Sequence, residues 1–161
     1  MARKATPMNF WAMAREYFLA AQVLIEADRR AVLGFASRPT LLLLSHGIEL
    51  MLKAYLLSQG ASEKQLKNIG HDLVECLAEA EGRGLRILGR KDRAVVRWLN
   101  EYYNKKEFEY VIAQGPKSLP HVRVIEDVLD KLLEGLRRPC LEATITERGK
   151  TRGGAGRKRR P

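Results

Sequence analysis

Apolar residues recur at steps of three and four along most of this chain. Phe10, Ala14, Tyr17, Phe18, Ala21, Leu24 and Ile25 follow that rhythm. It predicts an amphipathic helix from about Met8 to Asp28, with Arg29 and Arg30 at the end where the helix dipole favours cations. A second helix is expected to open near Ser37-Arg38-Pro39, since proline is tolerated in a first turn, and to run to Gln59 before Gly60. Its sequence, TLLLLSHGIELMLKAYLLSQ, is apolar around most of its circumference, the pattern of a central, buried helix. Two capping boxes follow. Ser62 to Gln65 predicts a short turn of helix over 63–68, and Asp72 to Glu75 opens a helix to about Gly82. Asp92 is expected to cap a further helix bearing Val95, Val96, Leu99, Tyr102 and Tyr103. Residues Asn104 to Leu119 lack a period and read as a long connection. Pro120 then starts a last helix along Val124, Ile125, Val128, Leu129, Leu132, Leu133 and Leu136, which Arg137-Arg138-Pro139 are expected to end.

No segment alternates as a strand does. The expected fold is all-α, an up-down antiparallel bundle of four or five helices over residues 8–138. Residues 139–161 then form a basic, disordered tail. A length of 161 residues with 45% hydrophobic content suits one core-bearing domain. The charge is uneven. Residues 148–161 hold seven of the 29 Lys and Arg and none of the 19 Asp and Glu, so the remainder carries a net charge of only +3. The tail, with Arg157, Lys158, Arg159 and Arg160, is a candidate for sequence-independent binding of a nucleic-acid backbone. Cys76 and Cys140 are far apart and belong to no CxxC or Cys/His cluster. No metal or cofactor is therefore expected, and a reducing compartment is. The N-terminus has no apolar run of signal-peptide length, and His46, Glu49 and Lys53 interrupt the most apolar stretch. These features predict a cytoplasmic protein with no membrane partner.

Those three polar residues carry the candidate chemistry. On an ideal helix Glu49 lies about 60° and Lys53 about 20° from His46, so all three share one narrow face. Glu49 and Lys53 form a favourable i, i+4 pair. A structural network, completed by backbone or tyrosine hydroxyls from neighbouring helices, accounts for such a seam. So does a cleft in which His46 serves as acid/base and Lys53 binds phosphate. Asp72 is expected to cap a helix. His71 beside it is placed to help bind an anion at that helix N-terminus.

The run Ser45-His46-Gly47-Ile48-Glu49-Leu50-Met51-Leu52-Lys53-Ala54-Tyr55-Leu56-Leu57, then Gly60, then Gly70-His71-Asp72-Leu73, resembles the HEPN domain family. The likeness extends through Gly84-Leu85 and Tyr102-Tyr103 and covers about Met8 to Leu136. It implies a small helical bundle, usually a homodimer, associated with RNA or nucleotide metabolism. Many relatives are ribonucleases of toxin–antitoxin or defence systems, some paired with a nucleotidyltransferase-like or antitoxin partner. Those nucleases carry an Arg and a His separated by four to six residues, facing the same pair across the dimer. Here Arg38 and His46 are the closest such pair, and seven residues separate them.

Three functions follow as expectations. One is a HEPN-like protein that binds RNA or nucleotide without the usual nuclease site, with Glu49, Lys53, His71 and Asp72 as binding residues. Another is a metal-independent ribonuclease with an atypical site around His46 and Arg38. The last is a helical interaction module whose nucleic-acid contact is confined to the tail.

Overall fold

Short-range capping signals set most of the helix boundaries. The computed structural model describes residues 5–28, 36–109 and 121–154, in which six helices and no strand occur. Helix α1 (Pro7–Ala27) opens on a capping box between Thr6 and Asn9. Helix α2 (Arg38–Ser58) is capped by the Ser37 hydroxyl, and α3 (Glu63–Ile69) by the Ser62 and Gln65 box. Helix α4 (Leu73–Gly82) starts at Asp72, whose carboxylate accepts from the Glu75 amide at 2.8 Å. Helices α5 (Arg90–Tyr103) and α6 (Val122–Gly154) complete the fold. Arg29, Arg30, Pro120, residues 110–119 of the expected long connection, and Arg157, Lys158, Arg159 and Arg160 lie outside the described residues.

Two expected boundaries are corrected. Helix α5 begins earlier, with Gly89 as its N-cap and Asp92 in the first turn. The Asp92 carboxylate reaches back to the Gly89 amide at 2.8 Å and takes Lys131 of α6 at the same distance. Helix α6 does not stop at Arg137-Arg138-Pro139 but continues through Pro139 to Gly154. An interior proline costs about 3 kcal/mol. Opposing that, Cys140 and Thr144 beyond it are buried, and the Thr144 hydroxyl accepts from the Met8 amide at the start of α1, at 3.2 Å. The continuing turns thus belong to the core.

Helix α2 is the hub, packing against α1, α3, α4, α5 and α6. Among the described residues it is the helix long and apolar enough to cross a membrane, yet 83% of its most apolar window is buried inside the protein. Leu41, Leu44, Ile48, Met51, Leu52 and Leu56 are all at most 1% exposed. Gly47 makes the tightest crossing. A Cβ there would stand 2.6 Å from Leu129 of α6 and 3.6 Å from the Ala14 carbonyl oxygen of α1. The position beside His46 is therefore where three helices meet. Across the molecule, Trp11 Nε1 donates to the Leu133 carbonyl at 2.8 Å and ties α1 to α6.

A chain ended at Arg138 should lose about 2 kcal/mol of stability through the missing burial and the lost Thr144 bond. A chain ended at Gly149 should match the full chain. Urea unfolding of the three chains measures this, and equal stability for the shortest would show that the end of α6 does not pack.

Candidate functional site

The seam on α2 closes around one carboxylate. Glu49 is 2% exposed, and four side chains converge on it. Lys53, one turn on, donates from Nζ to Oε1 at 2.6 Å and also to the Gly70 carbonyl at 2.6 Å. Tyr103, in the last turn of α5, donates from Oη to Oε2 at 2.5 Å. His71, in the connection between α3 and α4, sets Nδ1 3.0 Å from Oε2 and 3.2 Å from Oε1. His46 sets Nδ1 2.8 Å from Tyr103 Oη and 3.5 Å from Oε2. Local geometry delivers each partner. The 46/49/53 spacing aligns three residues on α2. Gly70, at φ 63° and ψ −129°, turns the chain so that its carbonyl meets Lys53 and the following His71 meets Glu49.

Burial pushes the Glu49 carboxyl up, but the bonds from His46, Lys53, Tyr103 and His71 outweigh it and hold the group well below the usual carboxylate range. The opposite holds for Tyr103. Burial, with the negative charge of Glu49 beside it, pushes the phenol far above its usual range, so it remains a hydroxyl. Cys76 and Cys140 are pushed up to about 12 by burial, which leaves them inert as nucleophiles. Ser45, one turn before Glu49, is fully buried, and its Oγ has no hydrogen-bond partner.

The structure thus brings together His46, Glu49, Lys53 and His71. It gives Lys53 to the interior: its ammonium is engaged twice and its side chain is only 11% exposed, so it serves the network rather than a phosphate. The His46 and His71 side chains, 26% and 59% exposed, carry the network to the surface. Asp72 is not part of the cluster. Its carboxylate caps α4 and accepts from Asn100 of α5 and from Asn104, the C-cap of that helix, at 3.2 and 3.1 Å, while Asn100 Oδ1 accepts from the Leu73 amide at 2.7 Å. These bonds lock the residue after His71 onto α5. Arg38 is the first residue of α2, about two turns before His46, and the four groups that hold Glu49 do not include it.

Tyr103 is the participant to which the sequence assigns no more than a place on the helix that bears Val95, Val96 and Leu99. The signal was present: a polar seam on a buried helix needs a donor from a neighbouring element, and Tyr103 is a hydroxyl-bearing residue on the apolar side of α5. No group of three or more metal-binding side chains occurs among the described residues. Two surface recesses, of about 200 Å³ beside Leu56, Ala61 and Arg83 and about 520 Å³ beside Gly89, Val124 and Lys131, lie elsewhere and include neither histidine. No protein-family model, curated protein or solved structure matches this chain.

Glu49→Gln leaves Lys53 without its counter-ion and should cost about 3–5 kcal/mol at pH 7. The folded state holds this carboxyl below its ordinary value. Its stabilisation is therefore complete above about pH 4.3 and declines as pH falls towards the folded value. The gap between the native chain and Glu49→Gln should narrow from pH 7 to pH 3 in urea unfolding; a constant gap would show that Glu49 is not held ionised. Ser45→Ala removes the unpaired hydroxyl and adds helix propensity. It should raise stability by about 1 kcal/mol in the same assay, and a loss would reveal a partner for that hydroxyl.

Proposed function

We propose that this chain is a HEPN-like, up-down helical bundle that binds RNA or nucleotide without the family's Arg–His nuclease arrangement. It works as a homodimer, beside a nucleotidyltransferase-like or antitoxin partner in a toxin–antitoxin or defence setting. One observation carries the reading. Residues of the two sequence stretches behind the family likeness, His46, Glu49 and Lys53 of one and Gly70 and His71 of the other, meet in one hydrogen-bonded cluster around Glu49, with His46 and His71 at the surface. A purely structural network needs no imidazole edges in solvent. Such edges offer hydrogen bonds and, when protonated, positive charge to a phosphate.

For the homodimer, support comes from the outer side of α1, where Met13, Leu19 and Val23 are 45%, 45% and 65% exposed. They lie within about 120° of helix circumference. A second reading, metal-independent RNA cleavage at His46, is favoured by the same open imidazole. The basic tail adds backbone affinity that salt weakens.

Fluorescence anisotropy with a labelled single-stranded RNA tests the binding. The chain ended at Glu147 should still bind, with a shallower dependence of log K on log salt than the full chain, and His71→Ala should weaken what remains. Loss of all binding on truncation would make the bundle a protein-interaction module and leave the tail as the nucleic-acid element.

A further inference from the structure

Around the start of α5 most charges are matched within the fold. Arg83 pairs with Glu79, Arg93 with Glu81 and Lys131 with Asp92. Arg90 and Lys91, in the first turn of α5, make no ion pair among the described residues, and neither does Asp127 of α6. All three line the recess of about 520 Å³ between α5 and α6. Its floor is aliphatic. Val124 lines it and is exposed. On α6, Val124, Lys131 and Gly135 lie within about 40° of helix circumference. Gly135 has no side chain, and Ile87 of the α4–α5 connection takes that space: a Cβ there would stand 2.7 Å from Ile87 Cδ1. Ile87 is also exposed, so the floor runs about 16 Å along α6 from Val124. Between them, Lys131 turns its ammonium onto Asp92 at 2.8 Å, so the charge nearest the floor is already matched. Glu134, exposed, follows Asp127 by two turns and lies about 20° from it on α6. The groove thus has a basic wall on α5, an acidic wall on α6 and an aliphatic floor.

We infer that this groove docks one helix of a partner protein, whose aliphatic stripe is flanked by Asp or Glu along one edge and by Lys or Arg along the other. Its aliphatic side chains, spaced at three, four and seven, cover Val124 and Ile87. Its acids meet Arg90 and Lys91, and its bases meet Asp127 and Glu134. Three turns of helix match the length of the floor. Charge complementarity selects this occupant. A nucleic-acid backbone or an anionic lipid surface would set phosphates against Asp127 and Glu134, and juxtaposed like charges weaken binding. The residues that line the recess include no aromatic ring on which a base could stack. A helix with one sign of charge along both edges satisfies one wall and is repelled by the other. The floor supplies affinity, and the two walls set which way the helix lies. The groove shares no residue with the cluster around Glu49. The inference therefore identifies a partner by the chemistry of its docking segment and rests on no part of the RNA reading above.

The test uses the full chain labelled with nitrogen-15 and three synthetic peptides of about 14 residues, each cross-linked into a helix with the same leucine stripe. One carries Glu along one edge and Lys along the other, one Glu along both edges, and one Lys along both. The mixed peptide should bind about tenfold more tightly than either of the others, with amide shifts confined to residues 86–93 and 124–135. Val124→Asp should weaken its binding by about tenfold, because an unpaired charge then sits on the floor. The double change Arg90→Glu and Lys91→Glu, at exposed positions, should make the Lys-edged peptide the tightest of the three, an inversion that loss of fold cannot produce. Equal binding of the three peptides, no binding of any, or shifts centred on Met13, Leu19 and Val23 would overturn the inference. Shifts at 86–93 and 124–135 caused by single-stranded RNA and not by the mixed peptide would overturn it in favour of a nucleic acid. Shifts there that depend on the concentration of the chain alone would overturn it in favour of a second copy. RNA binding at His46 and His71 stands or falls separately, since neither residue is probed.

Discussion

An ionised carboxylate that is 2% exposed survives only when donors replace its water. Glu49 draws those donors from its own helix, from the α3–α4 connection and from the end of α5. That requirement fixes how three parts of the chain sit against one another more narrowly than apolar contacts do, since leucine packing tolerates small slides and a bond of about 3 Å does not. The network also explains the polar seam on the most apolar helix of the protein. Replacing one partner strands the others in the interior, which is why single changes there cost more than surface ones.

The sequence pattern reveals the helices because their periodicity is local. The 46/49/53 seam is legible for the same reason, since residues three, four and seven apart share a helix face. Asp72 as a cap also follows from four consecutive residues. What local pattern cannot supply is the meeting of Glu49 with His71, 22 positions away, and with Tyr103, 54 positions away. A donor from a neighbouring helix was expected, but its identity depends on packing. Pro139 is misread for a related reason. A local breaker signal is overridden by the burial of Cys140 and Thr144, which only the position of α1 makes available. Asp92 shows a subtler limit. An aspartate at an N-cap and one three residues after it, in the first turn, both accept backbone amides, and no Ser or Thr precedes it to set the frame.

The interior and the surface of the cluster have separate work. Lys53 and Tyr103 neutralise and saturate the carboxylate out of reach of solvent, and the imidazoles extend the same network outward. Asn100 and Asn104 hold the chain immediately after His71 to α5, so the exposed ring stands on an anchored backbone rather than on a loose turn.

The dependence of the fold on Glu49 is tested most directly by a double-mutant cycle of Glu49→Leu and Lys53→Met, measured by urea unfolding at pH 7. Each single change strands a charge, while the double change removes both, so the double variant should be more stable than the sum of the two single losses allows, by more than about 1 kcal/mol. Additive losses would show that the two groups do not share one buried network and would contradict the account.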